Sequence, residues 1–365
     1  MTKEEGHMKH ALKLASRGSY SASPNPMVGC VIVKKGEVVG EGWHIKPGKE
    51  HAEVSAIANV KKKFGYLAKE KLKGSELYVN LEPCSNQGKT PPCSKSIIDS
   101  GIKKVFIATE DSTQQGVEQL SDHGIEINLG LLKDEAERLN QGFFTRLEKN
   151  RPFITCKLAI SMDGGIALSN GESKWLSSEQ SRLYVHKMRA KSDAIMTGIG
   201  TIFKDNPRLT VRLEEKGIST TEIQPIRCVI DSNLRITGKE KIINDEFKTL
   251  IFCNSLQAKD STALNVEIIK KPGIKGLVSL KDVCKYLGKR EINYLLIESG
   301  PKLVESLIKE KLIDQLIFFI APKLLGKEKL NFVKFQSTLS KINLEIKNME
   351  KIGQDIKLLT KLKYS

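Results

Sequence analysis

Three metal-binding side chains, spread over distant stretches of the chain, have to meet at one point. His51-Ala52-Glu53 stands where a helical pattern begins, Pro83-Cys84 follows a strand-like run, and Cys93 opens the next helical pattern. One imidazole and two thiolates suit zinc, which prefers nitrogen and sulfur ligands in a tetrahedral site. Three protein ligands leave one position for water, which separates a catalytic zinc from a structural one. Zinc lowers the pKa of its bound water from 15.7 to about 7. Glu53, two residues from His51, can then sit beside the metal without ligating it and move protons. Two blander readings stay open at this point: a Cys84–Cys93 disulfide, and a core histidine at position 51.

Apolar periodicity supplies the frame. Residues 4–17 read as an amphipathic helix with Met8, Ala11, Leu12 and Ala15 on one face. Gly29–Val33 and Glu37–Gly40 read as a hairpin, 51–62 as a helix, 76–81 as a strand, 92–100 as a short helix, 104–108 as a strand and 133–148 as a helix. Pro152 stops that pattern, and Phe153–Ala159 starts a new strand. The boundary falls here, giving domains 1–146 and 147–365. The second half alternates again: helix 178–190, strands 193–197, 226–230 and 249–252, helix 280–287, strand 293–297, helix 301–309 and strand 314–320. Such alternation implies an α/β structure with a mostly parallel sheet after the hairpin.

Composition narrows the partners. The formal charge is +16, which would attract polyanions or phosphorylated substrates. Lysines are spread along the chain, and Lys61-Lys62-Lys63 is the longest basic run, so nucleic-acid binding is the weaker reading. No apolar run approaches the ~20 residues that span a bilayer. Seven cysteines and no secretory pattern at the N-terminus lead us to expect a reducing cytoplasm.

The ligand layout resembles the zinc-deaminase signature of His-x-Glu followed by Pro-Cys-x-x-Cys. It departs in the spacing, because eight residues separate the cysteines. Pro24-Asn25-Pro26-Met27-Val28-Gly29, Gly42-Trp43-His44 and the loop from Glu82 through Ser85-Asn86-Gln87-Gly88-Lys89-Thr90-Pro91-Pro92 to Cys93 belong with it. Together these resemble the bifunctional riboflavin-biosynthesis deaminase/reductase family. The resemblance implies a cytidine-deaminase-like three-layer domain followed by a dihydrofolate-reductase-like α/β domain. It implies Zn2+ in the first domain and NADPH in the second, with a phosphorylated pyrimidine as substrate. It places Asn25, His44 and Lys89 near that substrate. Asn86 stands where the family often has histidine.

Motifs in the second half resemble the reductase of the same family. They are Lys157–Gly164, Gly171–Ser177, Arg189–Thr201, Asp205–Arg212 and Glu298-Ser299-Gly300-Pro301. Gly198-Ile199-Gly200-Thr201 after an apolar strand lets backbone amides approach a phosphate. No Gly-x-Gly-x-x-Gly fingerprint is present. The nicotinamide cofactor is therefore implied by the resemblance alone. It assigns Ala159, Trp175, Thr201, Asp205, Ser232, Gly300, Pro301 and Lys302 to the cofactor. It assigns Ser173, Arg189, Leu209, Arg212 and Glu298 to the substrate. A homo-oligomer is expected. Two rival classes remain: a deaminase acting on nucleic acid, and a non-enzymatic zinc-stabilised module. The other five cysteines lie in apolar runs and are expected to pack as small hydrophobes.

Overall fold

A computed structural model describes residues 1–86, 91–168, 176–213, 223–255, 265–332 and 342–364. It divides into two units, Met1–Phe144 and Thr145–Ser365. Both are mixed α/β. Among the described residues no helix is long and apolar enough to cross a membrane.

The first unit runs α1 (Lys3–Ala15), β1 (Gly29–Lys34), β2 (Glu37–Trp43), α2 (Ala52–Phe64), α3 (Ala68–Leu72), β3 (Glu76–Val79), α4 (Cys93–Ser100), β4 (Lys104–Ile107), α5 (Gly116–Asp122), β5 (Glu126–Leu129), α6 (Lys133–Leu139) and the start of α7 (Gln141–Lys149). Its sheet has the order β2-β1-β3-β4-β5. The β1–β2 and β1–β3 pairs are antiparallel, and β3–β4–β5 are parallel. Alternate residues of β1 serve opposite faces, as a strand requires. Cys30 and Ile32 join the core under α2, α4 and α5, with Ile57, Val60, Ile97 and Leu120. Val31 and Val33 join a second core under α1 and α6, with Met8, Leu12 and Ala136. The result is a sheet between two helical layers.

α1 is closed at its start by a capping box between Thr2 and Glu5. α2 lies unusually close to β2. A Cβ at Gly42 would sit 2.4 Å from both the Ala52 oxygen and the Ala56 nitrogen. Only glycine permits that approach. It sets the first turn of α2, with His51 as N-cap, against the end of the hairpin.

The second unit contains β6 (Phe153–Ser161), β7 (Gly165–Leu168), α8 (Glu179–Ala190), β8 (Ala194–Gly198), α9 (Ile199–Asp205), β9 (Ile226–Ile230), β10 (Thr249–Cys253), β11 (Val266–Lys270), α10 (Leu280–Lys289), β12 (Tyr294–Ile297), α11 (Pro301–Lys309), β13 (Gln315–Ala321), β14 (Lys329–Asn331), β15 (Asn343–Ile352) and β16 (Asp355–Lys363). The main sheet runs β11-β10-β9-β8-β12-β6-β13-β16-β15. It is parallel from β11 to β13, and the last two strands are antiparallel. Every residue of β10 is buried, as expected for a parallel strand covered on both faces. Cys30, Cys156, Cys228, Cys253 and Cys284 are all buried free thiols.

Some elements differ from the sequence pattern. The expected helix 133–148 is two helices interrupted at Asn140. α5 and β5 fill a stretch without a recognised pattern, because β5 is an edge strand with little burial and hence no alternation. β15 is hidden for the same reason. It is a charged, exposed edge strand, and such charges are how edges avoid further pairing.

Candidate active sites

In the first unit, three elements deliver the metal donors. His51 caps α2, Cys84 follows β3 across a short turn, and Cys93 is the first residue of α4. His51 Nδ1 lies 3.4 Å from Cys84 Sγ and 3.2 Å from Cys93 Sγ. All three donor atoms fall within 4.8 Å of one another. Zinc bonds of about 2.0–2.1 Å to nitrogen and 2.3 Å to sulfur, at tetrahedral angles, separate such donors by roughly 3.6 Å. The observed spacing and the donor chemistry fit that ion. Cys84 and Cys93 are free thiols rather than a disulfide.

The thiols share their charge unequally. The Cys93 thiol donates to Cys84 and, together with His51, holds Cys84 well below the ordinary thiol range. Cys93 is correspondingly held far above its ordinary value by Cys84 and by burial. Its backbone N–H also donates to Cys84 Sγ at 3.3 Å. Glu53 is 3 % exposed. Burial, with the Cys84 charge as a lesser contribution, lifts its carboxyl to about 7. A carboxyl poised there accepts and releases a proton at neutral pH.

The surroundings are cross-braced. His44 is buried and its pKa is lowered by that burial. Its Nδ1 lies 3.1 Å from the Glu50 carbonyl, and its Nε2 lies 3.0 Å from Asn25 Nδ2. A carbonyl accepts only, so Nδ1 carries the proton and Nε2 accepts from Asn25. The His44 ring meets His51 edge-on at 5.3 Å. Glu82 Oε2 accepts from Asp111 N and its Oε1 accepts from Val117 N, both at 3.0 Å. A Cβ at Gly116 would sit 1.9 Å from the Pro83 oxygen. α5 is thereby locked onto the turn that carries Cys84. Lys89 lies outside the described residues, and Asn86 is exposed.

The second unit brings four of its expected contacts to one edge of its sheet. β9, β8, β12 and β6 are successive parallel neighbours. Ser232 follows β9, Thr201 follows β8 within α9, Gly300 follows β12, and Ala159 lies toward the end of β6. The carboxyl edge of parallel strands is where open α/β sheets take ligands. Gly300 N donates to Thr201 Oγ1 at 3.2 Å, and Gly198 N donates to Ser299 Oγ at 3.1 Å. Pro301 opens α11, where a missing N–H costs nothing. Lys302 and Asp205 are exposed. Ser232 Oγ accepts from Val278 N at 3.1 Å. Trp175 and Ser173 lie outside the described residues.

Arg189 and Glu298 meet each other. Nε and Nη2 of Arg189 donate to the two carboxylate oxygens at 2.6 and 3.0 Å. Burial opposes the charge on Glu298, but Arg189 overrides it and holds the carboxyl at about 2. Lys157 Nζ stands 3.9 Å from the same carboxylate. Arg189 Nη1 donates to the Thr210 carbonyl at 3.0 Å, beside Leu209, which is buried with φ +54°. Arg212 is exposed, and its N–H donates to His186 Nδ1 at 3.1 Å. Burial, together with Arg189 and Arg212, pushes His186 down to about 4.

Several residues have no role assigned from the sequence: Asn80, Glu82 and Asn140 in the first unit, and Lys157, His186, Gln224 and Arg227 in the second. Most act on backbone atoms far along the chain, and no motif marks such partners.

Known proteins share both halves. Residues 1–109 match the cytidine and deoxycytidylate deaminase zinc-binding region, and residues 152–358 match the RibD C-terminal domain. The riboflavin biosynthesis protein RibD of Escherichia coli is 41% identical over 89% of each chain. That of Aquifex aeolicus is 38% identical over 98% of each. Among solved structures, Acinetobacter baumannii RibD superimposes with a TM-score of 0.89 at 33% identity, covering 99% of both chains. The Thermotoga maritima diaminohydroxyphosphoribosylaminopyrimidine deaminase/5-amino-6-(5-phosphoribosylamino)uracil reductase gives 0.87 at 34%, again covering 99% of both. With a zinc-binding deaminase region in front of a reductase domain, this chain belongs to the RibD family of bifunctional riboflavin-biosynthesis enzymes.

Proposed function

We propose that the first unit deaminates 2,5-diamino-6-(5-phosphoribosylamino)pyrimidin-4-one, and that the second then reduces the ribosyl group to ribityl with NADPH. The product is 5-amino-6-(5-phosphoribitylamino)uracil. The observation that carries this reading is the convergence of His51, Cys84 and Cys93 beside the buried carboxyl of Glu53.

In this reading His51 Nδ1 and the sulfurs of Cys84 and Cys93 hold zinc. When bound, the ion supplies Lewis acidity that makes coordinated water nucleophilic at neutral pH. Glu53 takes one proton from the attacking water and passes it to the ring nitrogen, then takes the remaining hydroxyl proton and delivers it to the departing amine. The C–NH2 group becomes C=O, and ammonia leaves. Asn25, whose Nδ2 is committed to His44, presents its Oδ1 to the pyrimidine edge.

In the second unit we assign Ala159, Trp175, Thr201, Asp205, Ser232, Gly300, Pro301 and Lys302 to NADPH. That cofactor supplies a hydride to C1 of the opened sugar. Lys157, whose Nζ stands 3.9 Å from the Glu298 carboxylate, is our candidate for the group that supplies the accompanying proton. The fork of Arg189 is occupied by Glu298, so phosphate anchoring falls mainly to Arg212. Ser173, Leu209 and Glu298 complete the substrate wall, and Lys89 serves the deaminase. We further place the protein in the cytoplasm, as a homo-oligomer acting on a free phosphorylated pyrimidine rather than on nucleic acid.

The test combines metal analysis with ammonia release. Glu53→Gln is expected to keep its zinc and to lose ammonia release by about 10²–10⁴-fold, the range of general acid–base catalysis. Retained turnover would sink the assignment. Given the deaminated product, the full chain should oxidise NADPH; an unchanged absorbance would remove the reductase reading.

A further inference from the structure

One buried side chain stands at the break in the expected helix 133–148. Asn140, between α6 and α7, is 1 % exposed. Its Oδ1 accepts from Met27 N at 2.8 Å, and its Nδ2 donates to Met27 O at 2.9 Å. One carboxamide thus satisfies both main-chain groups of one residue, as a neighbouring strand would. Asn80, fully buried, adds a second brace. Its Nδ2 donates to the same Met27 carbonyl at 3.0 Å, and its Oδ1 accepts from Gly29 N at 2.8 Å.

These braces add to two main-chain bonds of the segment, Asn25 N to Ala22 O at 3.0 Å and His44 N to Val28 O at 2.9 Å. Residues 24–28 belong to no helix or strand, and Pro24 and Pro26 have no N–H to donate. Asn25 sits two residues before Met27. From it a short path leads to the metal donors: Asn25 to His44 at 3.0 Å, then His44 edge-on to His51 at 5.3 Å.

We propose that Asn140 is a positioning residue for the deamination, holding the Pro24–Met27 turn so that Asn25 meets the pyrimidine. Its own side chain is spent on Met27. The proposal rests on the assignment of Asn25 to the substrate. Asn140 keeps its main-chain bonds to Ala136 and Phe144, at 3.2 and 3.1 Å, and departs from the helix only in its dihedral angles, φ −110° and ψ 24°. Alanine here would leave the Met27 N–H without this partner. Aspartate has the same shape and still accepts from that N–H, but it turns a second oxygen toward the Met27 carbonyl. Shape and hydrogen bonding are therefore separable.

The experiment measures ammonia release by the full-length, zinc-loaded enzyme as wild type, Asn140→Ala, Asn140→Asp, Asn25→Ala and the Asn25→Ala/Asn140→Ala double variant. Bound zinc and NADPH oxidation on the deaminated product serve as internal controls. Both Asn140 variants are expected to raise the deaminase KM about tenfold, the scale of one lost buried hydrogen bond. kcat should fall less, and zinc content and reductase turnover should stay unchanged. In the Asn25→Ala background, Asn140→Ala should add less than about twofold, because residues acting through one contact are not additive. A silent Asn25→Ala would overturn the Asn25 assignment and this proposal with it. An effective Asn25→Ala beside silent Asn140 variants, or full additivity, would overturn the proposal alone. Loss of zinc in both Asn140 variants would mark a purely structural residue and overturn it as well.

Discussion

The two candidate sites are built on opposite plans. In the first unit, three donors from three elements crowd within 4.8 Å of one another, and the acid sits among them. In the second, Ala159, Thr201, Ser232 and Gly300 are strung along the ends of four neighbouring strands. There three of the residues are each held by a separate partner: Thr201 by Gly300, Ser232 by Val278, Arg189 by Glu298. A metal centre concentrates its binding energy in a few bonds, whereas a groove spreads it over many. Substitutions should therefore be nearly all-or-none in the first site and graded in the second.

The largest effect tests that contrast directly. Cys84→Ser removes a soft ligand whose thiolate form is already favoured. It is expected to lower bound zinc and to take ammonia release below detection. NADPH oxidation on the deaminated product should stay within about twofold of wild type, since the two cores are separate. Extraction of zinc with a chelator should reproduce the pattern, with ammonia release returning on readdition. A parallel loss of NADPH oxidation would break the comparison.

The contrast also explains what the sequence reveals. Metal donors are drawn from few residue types and cluster at helix starts and strand ends, so His51, Cys84, Cys93 and Glu53 stand out unaided. The alternation of strands and helices is equally visible where burial is two-faced, as in β9, β10 and β12. Asn25, His44 and the whole cofactor groove come only through family resemblance, because a glycine, a serine and a threonine at strand ends look like ordinary turns. Asn80 and Asn140 leave no local trace, and the motif that contains Glu82 does not reveal what its side chain holds. Their partners are main-chain atoms of Met27, Gly29, Asp111 and Val117, and main-chain atoms have no sequence. Asn140 is the plainest case, since its neighbours Glu137, Arg138 and Leu139 all favour continuing the helix.

The next effect concerns the Arg189–Glu298 pair, where the second site is most like the first. Both side chains are about nine-tenths buried. Glu298→Gln leaves the guanidinium without its counter-charge, which typically costs about 3–5 kcal/mol. A fall in the melting temperature, with loss of NADPH oxidation and retained ammonia release, is expected. The pH dependence has a definite sign. The carboxyl titrates near 2 in the fold and near 4.3 when unfolded. Its stabilisation is therefore fully present above about pH 4.3 and is lost as the pH falls toward 2. The variant should lack that acid-side slope. A variant melting like wild type, with the slope intact, would show that the pair contributes little, and the second site would be graded throughout.

The smallest effect lies in the segment 208–212, which has no sheet partner among the described residues and is carried by side chains. Arg227 donates to the Arg208 carbonyl at 3.2 Å and Arg189 to that of Thr210 at 3.0 Å. Gln224 accepts from Val211 N at 2.9 Å and donates to Val211 O at 3.0 Å, while His186 accepts from Arg212 N at 3.1 Å. Gln224→Ala removes two of these five rungs and leaves the guanidinium and imidazole rungs in place. Because Leu209 and Arg212 are our substrate contacts, the KM for the deaminated substrate should rise by about 3- to 10-fold, the scale of one or two neutral hydrogen bonds. The KM for NADPH and kcat should stay within about twofold, since the cofactor contacts lie on other strand ends. A fall in kcat with an unchanged substrate KM would mean that the segment serves the reacting centre itself. The second site would then be as concentrated as the first, and the contrast between the two plans would fail.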